Sequence, residues 1–242
     1  MRLFRLHRIW FYCLLLFFTL PCAPAQTVPL PAMHAGQVSL SGLSSGGYMA
    51  VQCEVAFSSS VTGAAIIAGG PYYCAQGSVY TATTSCSCTS TWFDCRVHAS
   101  GTAIAQLIAV TGRLAVDSDI DPTAGLQAPR IWMLSGSKDT VVPHAVMDEL
   151  QTYYRHYVDA SHISDQRDLP AEHAMPTDRY GNRCATLAAP YLNNCAYDAA
   201  GALLQWIYGL RNPRGAAAGR LMHFDQGQCL PDPALHGRSG SG

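Results

Sequence analysis

The stretch QVSLSGLSSGGYMAVQCEVAFS, residues 37–58, decides how the rest of the chain is read. Its start, Gln37 to Leu40, fits a short strand. Met49, Cys53, Ala56 and Phe57 then recur at helical spacing, which predicts a helix over Gly46 to Ser58. Between the two lies Gly42-Leu43-Ser44-Ser45-Gly46, a Gly-x-Ser-x-Gly turn. A serine on a strand-to-helix turn sits in a strained bend that points its hydroxyl outward. The flanking glycines keep side chains from colliding with the adjoining strand and helix. Such a turn also sets the next backbone N–H, and the start of the helix, where an oxyanion would form. The same five residues could be an ordinary Ser/Gly turn, and only the strand–turn–helix setting separates the two readings.

Outward from this turn, short apolar runs alternate with helical periodicity, as expected of an α/β domain. Ala64 to Ala68 predicts a second strand, closed by Gly69-Gly70-Pro71. A Cys-, Thr- and Ser-rich stretch follows, which reads as a disulfide-tied excursion from the sheet. Ile131-Trp132-Met133-Leu134 is continuously apolar, as a parallel strand covered on both faces should be. Val146, Leu150, Tyr153, Tyr154 and Tyr157 mark one face of a helix. Asp198 fits the N-cap of another, with Ala202, Leu203, Trp206, Ile207 and Leu210 on its buried side. Leu221 to Phe224 predicts a last short strand.

Composition narrows the setting. Of 242 residues 49% are hydrophobic, which argues against wholesale disorder, and only 13% are charged, about half the usual share. A net charge of −1 offers no basic field for nucleic acid. Arg2, Arg5, His7 and Arg8 precede an apolar run from Ile9 to Leu20, and Pro21-Cys22-Ala23-Pro24-Ala25 sets small residues before Gln26. That run falls short of the ~20 residues a membrane span needs, so residues 1–25 read as a signal peptide. Residues 26–236 read as one domain and 237–242 as a Gly/Ser-rich end.

Removing the signal leaves eight cysteines, 53, 74, 86, 88, 95, 184, 195 and 229. An even number in an exported chain reads as disulfides, with roughly a hundred possible pairings. Cys184 and Cys195 flank one short loop and are the easiest pair to propose. Cys86, Cys88 and Cys95 with His98 could imitate a zinc site, but their spacing fits no common pattern.

A nucleophilic hydroxyl needs a base, and the base needs an orienting acid. In α/β-hydrolases these follow in the order Ser, Asp, His. Asp139 comes just past the apolar strand 131–134, where the carboxyl edge of a sheet would present a carboxylate. A solvated loop aspartate fits the same position. His144, His156, His162, His173, His223 and His236 all lie beyond it. His144 falls at a helix start and His156 within a helix, which suit surface or packing roles. His173 lies in a loop between elements, as a catalytic imidazole should, but periodicity alone leaves the choice open.

Four stretches carry a family resemblance: Gly42-Leu43-Ser44-Ser45-Gly46-Gly47-Tyr48-Met49-Ala50, Ala68-Gly69-Gly70-Pro71-Tyr72-Tyr73-Cys74, His173-Ala174-Met175-Pro176-Thr177-Asp178 and Tyr197-Asp198-Ala199-Ala200-Gly201. In this order they resemble the extracellular poly(3-hydroxybutyrate) depolymerases whose catalytic domain is a circularly permuted α/β-hydrolase. The resemblance runs from about Val38 to Gln226. It implies Ser44 as nucleophile, Asp139 as acid and His173 as base, with the Ser45 N–H as one oxyanion donor. It also implies a secreted serine esterase acting on polyester or oligoester without metal or organic cofactor. The family carries a later His-Gly-Cys turn that completes the oxyanion hole. This chain reaches Gly242 without one, so the expectation is a partial domain with weak turnover. A carboxylesterase on acetylated or feruloylated polysaccharide is the alternative within the enzyme class, and a non-catalytic polymer-binding fragment the alternative outside it. Tyr72, Tyr73 and Trp92 are candidates for an acyl pocket, or for the core.

Overall fold

The main parallel sheet is built around two inner strands, Val61–Ile67 and Arg130–Leu134, that are almost wholly buried on both faces. The computed structural model describes residues 36–97, 103–209 and 215. The expected signal peptide, the strand at 221–224, the end at 237–242, and His98, Leu210 and Cys229 lie outside them. In chain order the elements are β1 (Val38–Leu43), α1 (Ser45–Ala56), β2 (Val61–Ile67), α2 (Val79–Thr84), α3 (Ile104–Val116), β3 (Arg130–Leu134), α4 (His144–Tyr157), β4 (Ile163–Gln166), β5 (Met175–Thr177), β6 (Asn182–Arg183), β7 (Leu192–Asn194) and α5 (Ala199–Tyr208).

Strands β1-β2-β3-β4 form one parallel sheet in that order, and β5-β7-β6 form a small second one. The main register sets Leu43 beside Ile67, Ile67 beside Leu134, and Leu134 beside Gln166. On one face Ala64, Ile66, Ile131 and Met133 pack against Val51 and Val55 of α1, Leu107 of α3, and Met147, Leu150, Tyr153 and Tyr154 of α4. On the other, Ala65, Ile67, Trp132 and Leu134 meet Ala199, Leu203 and Ile207 of α5. Strand β3 therefore alternates Ile131 and Met133 with Trp132 and Leu134 between two covered faces. Each large apolar side chain buried in this way contributes about 1.5–3 kcal/mol. The architecture is α/β-hydrolase-like, a parallel sheet flanked by helices.

The elements expected among the described residues appear within a few residues of their bounds, and the Asp198 side chain caps α5 by accepting from the Gly201 N–H. The stripe expected on α1 is displaced. Met49 and Phe57 are exposed, while Gly47, Ala50, Val51, Glu54 and Val55 are buried. The acidic residue Glu54 on the inner face hid that face from a hydrophobicity reading. Helix α3, the short β4 and the small sheet were not foreseen. The excursion between β2 and α3 is tied by Cys74–Cys86 and Cys88–Cys95, and a third disulfide joins Cys184 to Cys195 as expected. Cys86, Cys88 and Cys95 are thus in disulfides and not available as thiolates for a metal. Cys53 is the free cysteine among the described residues.

Candidate active site

Ser44 follows the last residue of β1 and caps α1 with φ 58° and ψ −124°. A non-glycine residue in that conformation is strained, and the strain is held by bonds on both sides. The Ser44 N–H donates to the Ile67 carbonyl at 2.9 Å, and the Ser44 carbonyl accepts from the Tyr48 N–H at 3.0 Å. Gly42 is required by space: a Cβ there would lie 2.2 Å from the Gly46 carbonyl carbon and oxygen. The sequence thus builds a sharp elbow that exposes the serine hydroxyl at the carboxyl end of the sheet. Ser45 begins α1, so its N–H is among the first-turn donors that find no acceptor within the helix.

The other two expected residues come to the same edge because the strands are parallel. Beyond the strand ends the ladder continues, with Ala68 N–H to Leu134 O at 3.0 Å and Ser135 N–H to Gln166 O at 2.9 Å. Ser137 N–H then bonds Leu169 O at 2.8 Å and Lys138 N–H bonds Ala171 O at 3.1 Å. These bonds lay the loop after β3 along the loop after β4, and Asp139 meets His173. The His173 Nδ1 is 3.0 Å from one Asp139 carboxylate oxygen and 3.2 Å from the other. A carboxylate only accepts, so Nδ1 carries the proton and Nε2 of the neutral ring is left as the basic nitrogen. Asp139 Oδ1 also accepts from the Val141 and Val142 N–H groups at 2.9 and 2.8 Å, which fixes the carboxylate. Both side chains are nearly buried, His173 at 8% and Asp139 at 2% exposure.

No hydrogen bond joins the Ser44 hydroxyl to His173 among the described residues. Such bonds often close only when substrate is bound. Asp139 is still close enough to the elbow to act on Tyr48, one turn beyond Ser44. Burial, followed by Glu149 and Asp139, pushes that phenol far above its ordinary value. It stays protonated and donates to the Cys86 carbonyl, tying α1 to the disulfide-bonded excursion.

A cavity of about 490 Å³ opens on Ser44 and Ser45, walled by Met49, Gln52, Tyr73, Cys86 and Val142 among others. It is the mainly apolar kind of pocket that small ligands use. Of the expected acyl-pocket residues, Tyr73 lines it. Tyr72 does not: it is buried in the core beside Val51 and Tyr153. Trp92 is also outside it and is 88% exposed. The wall residues Met49 and Gln52 were missed, although Ser45, Met49 and Gln52 share one face of the elbow helix and their spacing could have shown it.

No family model matches the chain. A poly(3-hydroxybutyrate) depolymerase of Delftia acidovorans is 41% identical over 221 residues, which are 89% of this chain and 42% of that protein. Over that stretch the chain is homologous to poly(3-hydroxybutyrate) depolymerases. The crystal structure of PHB depolymerase from Penicillium funiculosum superposes with a TM-score of 0.68 at 35% identity, covering 78% of this chain and 57% of that one. A serine-to-alanine variant of a PHB depolymerase complexed with an R3HB trimer gives 0.67, with the same identity and coverage. The chain spans about half the length of the relatives it matches. Among the described residues no helix is long and apolar enough to cross a membrane.

Proposed function

We propose that the chain is an exported serine esterase that cleaves poly(3-hydroxybutyrate)-type polyesters or their oligomers through an acyl-enzyme. The observation that carries this reading is the strained Ser44 elbow, open to an apolar cavity, on the sheet edge that also holds the buried Asp139–His173 pair. Ser44 attacks the ester carbonyl as His173 Nε2 takes its proton. Asp139 holds the imidazole in that tautomer and stabilises the imidazolium. The Ser45 N–H receives the oxyanion, a contact worth roughly 10²–10³ in rate. His173 gives the proton to the departing alkoxide oxygen, which leaves as an alcohol, and water then deacylates Ser44 through the same base. A cavity walled by Met49, Tyr73 and Val142 suits the methyl-bearing backbone of a hydroxyalkanoate better than a sugar. A relative complexed with an R3HB trimer supports the same substrate class. Three disulfides fit an oxidising compartment.

The test is covalent labelling by a fluorophosphonate, with hydrolysis of 3-hydroxybutyrate oligomers compared with acetylated and feruloylated sugars. Labelling that disappears in Ser44→Ala, together with preference for the oligomers, is the expected result. Labelling that persists in Ser44→Ala, or preference for the sugar esters, refutes the proposal.

A further inference from the structure

The acid and the base of the proposed triad stand on different loops, and a second carboxylate joins those loops. Glu172 precedes His173 and is 8% exposed. Its Oε1 accepts from both the backbone N–H, at 3.2 Å, and the hydroxyl of Thr140, the residue after Asp139. Its Oε2 accepts from the backbone N–H of His173. Its own N–H donates to the Cys184 carbonyl at 3.0 Å, so the clamp is backed by a residue of the Cys184–Cys195 disulfide. Three donors, two from Thr140 beside Asp139 and one from the backbone of His173 itself, therefore converge on one buried carboxylate.

We propose that Glu172 is a positioning residue that fixes the separation and angle of Asp139 and His173; this rests on the triad reading above. The backbone bonds from 135–138 to 166–171 bring the loops together, but they stop one residue short of Asp139. Past that point the chain turns away to supply Val141 and Val142 to the Asp139 carboxylate, and only side-chain bonds can close the gap to His173. A carboxylate suits this place because it is acceptor-only and its two oxygens face opposite ways. A side chain bearing a donor at either oxygen would confront the N–H of Thr140 or of His173. Glu172 does not line the cavity, so the clamp acts on the base and not on substrate binding.

The experiment compares wild type, Glu172→Ala, Glu172→Gln, Thr140→Val and Thr140→Ser as full chains. Readouts are kcat and KM on a soluble aryl ester, fluorophosphonate labelling, and the low-field proton resonance of His173 Nδ1–H. A misplacement on the ångström scale costs about 10²-fold in rate, so Glu172→Ala should lose about that factor in kcat at unchanged KM. Glu172→Gln keeps one arm in either amide orientation and should fall in between. The low-field resonance should weaken in Glu172→Ala as the bond loosens. Thr140 is exposed, so Thr140→Val carries little folding risk; it should lower kcat, and Thr140→Ser should restore it. Wild-type kcat in Glu172→Ala or in Thr140→Val overturns the clamp, as does a rise in KM at constant kcat. If Glu172→Ala does not fold, the Thr140 pair decides. A wild-type chain that neither labels nor hydrolyses would instead refute the triad reading. In that case a resonance unchanged by Glu172→Ala overturns the clamp, and a weakened one upholds it.

Discussion

Glu54 is a carboxyl group placed where hydrocarbon belongs, and replacing it by glutamine should make stability less dependent on pH. It lies on the inner face of α1, fully buried. The Tyr154 hydroxyl donates to its Oε2 at 3.1 Å, and Oε1 has no hydrogen-bond partner. Burial pushes its pKa from the usual 4.5 up to about 8, with the Tyr154 bond opposing the shift. The folded state then holds the proton more tightly than the unfolded chain. The group's contribution is complete below pH 4.5, declines as pH rises toward 8, and levels off above. At about 1.4 kcal/mol per pH unit the full loss is roughly 5 kcal/mol, of which about 4 falls between pH 5 and pH 9. Glutamine has nearly the same shape, can accept from Tyr154, and stays neutral throughout. The assay is urea unfolding of wild type and Glu54→Gln at pH 5, 7 and 9. The difference between them cancels the titration of groups that Glu54 does not act on, and Tyr153 and Tyr154, which it does, are pushed up by burial. Glu54→Gln should gain about 4 kcal/mol on wild type from pH 5 to pH 9, a large part of a typical domain's stability. A difference that stays constant across that range would show that Glu54 is not held protonated, and would refute the reasoning.

Three further perturbations test the site and its frame. In Asp139→Asn the amide oxygen should stay on the Val141 and Val142 N–H groups, turning the amide nitrogen toward His173 and reversing the imidazole tautomer; kcat should drop by about 10⁴ with the fold intact by circular dichroism. A Cβ on Gly136 would lie 2.2 Å from the Ala171 carbonyl oxygen, so Gly136→Ala should cost about 1–3 kcal/mol in denaturant unfolding and lower kcat by parting the acid and base loops. Alkylation of the unfolded, unreduced protein should modify Cys53 and spare Cys74, Cys86, Cys88, Cys95, Cys184 and Cys195, as read by peptide mass; modification of any of the six contradicts the disulfide framework.

What the sequence determined by itself is local. The tight turn at Ser44 depends on Gly42, where a Cβ would strike the Gly46 backbone four residues on, a clash between near neighbours; the bond from the Ser44 N–H to Ile67 then holds the turn from the next strand. The continuous run 131–134 announced a doubly covered strand, the tyrosine stripe announced α4, and Asp198 announced its own cap, because periodicity and capping are properties of neighbouring residues. Tertiary structure decided the rest. Six histidines follow Asp139, and only the parallel pairing of β3 with β4 brings one of them, His173, onto that carboxylate. The buried face of α1 could not be read from hydrophobicity, since Glu54 is tolerated there by its bond to Tyr154, a hundred residues away. Tyr72 and Tyr73 are adjacent and chemically identical, yet one is in the core and the other in the cavity wall. The chain turns here, with Tyr73 at φ 60°, and leads straight into the excursion tied by Cys74–Cys86, a contact between residues that local sequence does not pair.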